Sequence, residues 1–189
     1  SGIDFSKIFE KNTKGYPFLS YFHSPFTSDC SSDLPSKIGL LFLDLSKDWQ
    51  DFIPIFGHLF PRLGEGSNVI FQDYGYREGL DVLAIASLLC DQKFMEPIET
   101  AATSACFIVK RSFNVEDMTR IVSFFASKKI PIKELQNLIN MTVNMYEQFS
   151  HRKDVMADVS MSLLAFLKEQ GFPREEWIKQ SKFLKQISN

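Results

Sequence analysis

The sequence is poor in the residues that would mark it as secreted, metal-bound or nucleic-acid-binding. It has three cysteines, Cys30, Cys90 and Cys106, far apart and without paired spacing. That excludes a disulfide framework and fits reduced thiols in a cytoplasmic protein, with Cys90 and Cys106 set in apolar runs. His23, His58 and His151 have no ligand spacing to any cysteine or carboxylate, so each reads as a surface or capping residue rather than a metal ligand. No apolar run approaches the ~20 residues that a membrane span requires. The N-terminal SGIDFSKIFEKN carries charges where a secretory leader would have its apolar core, so no leader is expected. Ser1-Gly2 in place of a starting Met reads as a cloning remnant, and native sequence is expected to continue upstream. With 21 Lys and Arg against 23 Asp and Glu, the net charge is −2. No basic patch with interleaved aromatics accompanies it, so neither nucleic acid nor membrane is an expected partner.

What is present is a globular chain of 189 residues, 44% apolar, with nineteen Phe against two Trp, which predicts a core built from phenyl rings. Residues 38–111 alternate strand and helix patterns. IGLLFLD (Ile38 to Asp44) is a continuous apolar run of the kind that buried parallel strands show. A helix is predicted from Trp49 to Leu63, striped by Phe52, Phe56, Leu59, Phe60 and Leu63, with Pro54 in its early turns and Gly64 and Gly66 stopping it. SNVIFQD (Ser67 to Asp73) reads as a second buried strand, and Arg77 to Asp91 as a second helix with Leu80, Leu83, Ala84, Ser87 and Leu88 on its apolar side. FMEPIET and SACFIVKR then read as an antiparallel pair at a sheet edge. Strand, helix, strand, helix, hairpin is the second half of a doubly wound α/β sheet.

From Asn114 the pattern is helical throughout, which divides the chain into an α/β part, 1–113, and an all-α C-terminal extension, 114–189. Asn114 is an N-cap with Glu116 and Asp117 in the first turn. Pro131 breaks this helix from a second, striped by Leu135, Leu138, Ile139, Thr142, Met145, Tyr146 and Phe149. A third is predicted from Asp154 to Gln170, ended by Gly171, and Pro173 opens a fourth with Trp177, Ile178, Phe183 and Leu184. Met141, Met145, Met156 and Met161 read as core. The Ser-rich TSDCSSD has no Gly-x-Ser-x-Gly elbow around it and reads as a loop.

SPFTSDCSSDLPSKIGLLFLDL followed by LFPRLGEGSNVIFQDYGYREG resembles the S-adenosylmethionine-dependent sugar O-methyltransferases of the macrocin type, over about residues 17 to 113. In that family a strand ending Asp-x-Asp is followed by a helix ending Tyr-Pro-x-Leu, a Gly-Gly turn and a strand ending Asp-Asp-Tyr-Gly. The matching pieces are Phe60-Pro61-Arg62-Leu63, Gly64-Glu65-Gly66 and Gln72-Asp73-Tyr74-Gly75. The hairpin ETAATSACFIVKR is similar to the antiparallel end of the class I, Rossmann-like methyltransferase sheet.

The resemblance implies three carboxylates around a divalent metal, yet Asp44-Leu45-Ser46 stands for Asp-x-Asp and Gln72 for the first Asp of Asp-Asp. Asp73 alone remains as a metal ligand, with Ser46 and Gln72 at the other family positions. A hydroxyl and an amide cannot neutralise Mg²⁺ as two carboxylates do. Asp44 and Asp48 are the candidates for a surviving catalytic acid, Asp48 if the loop shifts by two residues. Tyr74, Arg77 and Glu78, at the C-terminal end of a strand, are candidates for ligand or partner contacts. The 37 residues before Ile38 hold Gly2 and Gly15 but no Gly-x-Gly turn, so the donor-binding half that the resemblance implies has no place in this chain.

Two expectations follow. In the first, the chain is a degenerate methyltransferase-like domain that binds no cofactor and acts in binding or assembly with a protein partner or the remainder of a larger polypeptide. In the second, it is the C-terminal part of an active sugar O-methyltransferase using S-adenosylmethionine and Mg²⁺. A third reading puts the function in the helices after Asn114, as a docking or oligomerisation module. In each case an open edge at the Ile38–Asp44 strand predicts a homo-oligomer, unless the first 37 residues or the helices shield it.

Overall fold

The structure is a computed structural model. It describes residues 34–44, 49–72, 74, 80–101 and 104–126, with shorter stretches at 7, 11–12, 14–15, 140, 161, 164–165, 167–169, 171–175 and 178–179. The elements are β1 (Ile38–Leu43), α1 (Trp49–His58), a 3-10 turn (Phe60–Arg62), β2 (Leu63–Phe71), α2 (Leu80–Asp91), β3 (Met95–Ala101), β4 (Ser104–Val109) and α3 (Val115–Ala126). The α/β class is as expected. The four strands form one sheet in the order β1-β2-β4-β3. β1 and β2 are parallel, and β4 runs antiparallel to both of its neighbours. The closing hairpin therefore turns back into the sheet: β4 is interior, and β3 is the edge.

Alternation along the strands divides the sheet into two unlike faces. Leu41, Leu43, Val69, Phe71, Ala105, Phe107, Val109 and Met95 are buried on one side. On the other, Leu40 and Phe42 are exposed, and Asn68, Ile70, Cys106 and Ile108 are half-buried. The helices lie against the first face. A file of rings shows this: Phe56 meets Phe52 at 6.1 Å, Phe52 meets Phe71 at 6.4 Å, and Phe71 meets Phe107 edge-on at 5.6 Å. The file runs on in the other direction, from Phe56 to Phe60 at 4.5 Å, to Phe113 at 5.1 Å and to Phe94 at 4.7 Å. Each ring buries a large apolar area, and tilted or edge-on pairs add to that. The phenyl-rich composition thus becomes one continuous core.

Several element ends differ from the apolar pattern, each for a local reason. The helix expected to reach Leu63 stops at His58. Pro61 has no N–H to donate, so the α-helical ladder cannot run through it; the chain tightens into the 3-10 turn, with the Arg62 N–H donating to the Leu59 carbonyl at 3.0 Å, and Leu63 is already strand. Pro54 is the sixth residue of α1, past the first turn, and forfeits one helical hydrogen bond. Gly64 and Gly66 lie inside β2 rather than ending a helix. Ile38 pairs with Leu63 and Leu40 with Asn68, so residues 64–67 bulge out of the ladder. Gly66 takes a φ of 85° there, which a side chain would resist. Ser67 closes the bulge: its hydroxyl donates to the Ile38 carbonyl at 2.7 Å and accepts the Gly64 N–H at 3.1 Å. Regular pairing begins at Asn68, beside the start that the apolar run predicts.

The Asn114 cap forms as expected, its side-chain oxygen accepting the Asp117 N–H at 2.8 Å ahead of α3. Met118 and Ile121 of α3 join the same core as the sheet, and so does Leu167. Residues 167–169 are helical, and Gly171 ends them at a φ of 72°. There the Gly171 N–H donates to Lys168 and the Phe172 N–H to Leu167, each at 3.1 Å. The stripe expected over 135–149 and most of the fourth helix lie outside the described residues.

Candidate functional site

β1 and β2 run the same way, so their C-terminal residues Leu43 and Phe71 lie side by side in register. Such ends are where open α/β sheets offer residues to a ligand. Asp44 follows β1 and is exposed, and Gln72 follows β2 and is half-buried. The Gln72 N–H donates to the Leu43 carbonyl at 2.9 Å, which carries the pairing of β1 and β2 one residue beyond the strand. Asp44 and Gln72 are thereby brought to the same end of the sheet, one as a carboxylate and one as an amide.

Tyr74 takes a different place from the one expected of a surface contact. It is 1% exposed. Its ring meets Phe107 at 5.6 Å, and its hydroxyl lies 3.5 Å from that of Ser87. A phenol with an apolar body and one polar tip suits this position, where it ties the turn after β2 to β4 and α2. Ser46, Asp48, Asp73, Arg77 and Glu78 lie outside the described residues. Among the described residues, no three His, Cys, Asp or Glu side chains gather as a metal cage. None of the described helices is long and apolar enough to cross a membrane.

The opposite end of the strands carries a clamp that the sequence pattern does not announce. Arg62 donates from Nε to the His58 carbonyl at 2.8 Å, and from one terminal nitrogen to the carbonyls of Leu34 at 3.0 Å and Pro35 at 2.8 Å. One guanidinium so ends α1 and fixes the chain leading into β1, using its fork of donors. The only sequence signal was a basic residue four positions after His58, just past the helix-ending Pro61.

The described cysteines are poor nucleophiles. Burial pushes the Cys90 thiol up to about 12; Lys93 opposes the shift, and Glu96 and Asp91 add to it. Burial also raises Cys106, with Glu99 adding to it and a hydrogen bond from the Phe107 backbone opposing. A thiol with a raised pKa carries little of the reactive thiolate near neutral pH. Both cysteines are free. His58 ends α1, and His23 and His151 lie outside the described residues.

The chain matches no protein-family model, no curated protein and no solved structure.

Proposed function

We propose that this chain is a degenerate methyltransferase-like domain, without catalysis of its own, that acts in binding or assembly within a larger protein. The observation that carries the reading is the meeting of Asp44 and Gln72 at adjoining strand ends, held by the bond from Gln72 N–H to Leu43. The family that the sequence resembles has acids at this end to hold a divalent cation. An amide supplies no negative charge there, and Mg²⁺ gives up its water only for strongly anionic oxygens. The order β1-β2-β4-β3 supports the same reading, since the resemblance implies a sheet with an antiparallel end. Calorimetric titration with S-adenosylmethionine, with and without Mg²⁺, tests it. No heat of binding is expected. Micromolar binding would overturn the proposal and favour the C-terminal part of an active S-adenosylmethionine- and Mg²⁺-dependent sugar O-methyltransferase.

A further inference from the structure

We draw no further inference here: the strongest candidate, the apolar surface patch of Leu40 and Phe42 on the β1 edge of the sheet, carries nothing because nothing in the structure shows what covers it.

Discussion

Arg111 holds its guanidinium carbon 3.5 Å from the centre of the Phe94 ring. The same group donates to the Asp117 carboxylate at 3.0 Å, and the far face of Phe94 stacks on Phe113 at 4.7 Å. Arg111 thus joins the end of β4 to the turn after α2 and to the first turn of α3. Arg111→Ala removes the stacked cation and leaves Asp117, whose side chain is 12% exposed, with Arg120 at 3.4 Å. A loss of about 1–2 kcal/mol is expected, read as a lower urea midpoint at constant slope. Because the Arg111 side chain is itself 43% exposed, solvent screening holds the loss to this range. Arg111→Lys keeps a charge but not the planar stack, and should recover part of the loss.

Lys93 ends α2 at a φ of 61°. Its N–H donates to Cys90 at 3.0 Å and the Phe94 N–H to Leu89 at 2.9 Å, a helix end that usually has glycine at this position. Lys93→Gly relieves the left-handed backbone, and a gain of about 0.5–1 kcal/mol is expected in thermal or urea unfolding. Lys93→Val should lower stability.

The Asn114 cap gives a third measurement. Asn114→Ala leaves the Asp117 N–H without the oxygen it now meets at 2.8 Å. A loss of about 1 kcal/mol is expected, and Asn114→Asp should retain most of the stability.

Cys90 gives the fold a pH dependence of known sign. Its thiol, ordinarily near 9.0, is pushed up to about 12 by burial. Between those values the folded chain keeps the proton and the unfolded chain releases it, so unfolding is favoured as pH rises. Stability associated with Cys90 is fully present below pH 9.0 and is lost as pH climbs toward about 12. Cys90→Ala should flatten the alkaline limb of a stability–pH curve. Alkylation of native Cys90 by iodoacetamide at pH 8 should be far slower than that of a free thiol.

The sheet was legible from sequence where one face is buried and the residues alternate or run apolar. IGLLFL and the regular part of β2 carry that signal, as do both strands of the hairpin. The insertion of β4 between β2 and β3 was not legible, because strand order is set by pairing between distant segments. The early start of β2 was hidden by exposed Gly64, Glu65 and Gly66, which have the composition of a turn. At the site, Asp44 and Gln72 could be assigned to strand ends, and their meeting follows from parallel pairing. Tyr74 could not be placed, because an aromatic at a strand end serves a ligand or a core equally well until its neighbours Phe107 and Ser87 are known. The contacts of Arg62 with Leu34 and Pro35, and of Arg111 with the Phe94 ring, reach far away in sequence, and no local spacing encodes them.

The Arg62 clamp has a consequence for how freely the chain can change. It secures the bottom of the two parallel strands, where Leu34, Pro35 and His58 are held by one side chain. The top of those strands, at Asp44 and Gln72, needs from its side chains none of that anchorage, since Gln72 is tied to β1 through its backbone. Asp44 and Gln72 are therefore open to replacement with little penalty in folding free energy, unlike the buried Tyr74 beside them. An acid there can become an amide while the scaffold beneath keeps its shape.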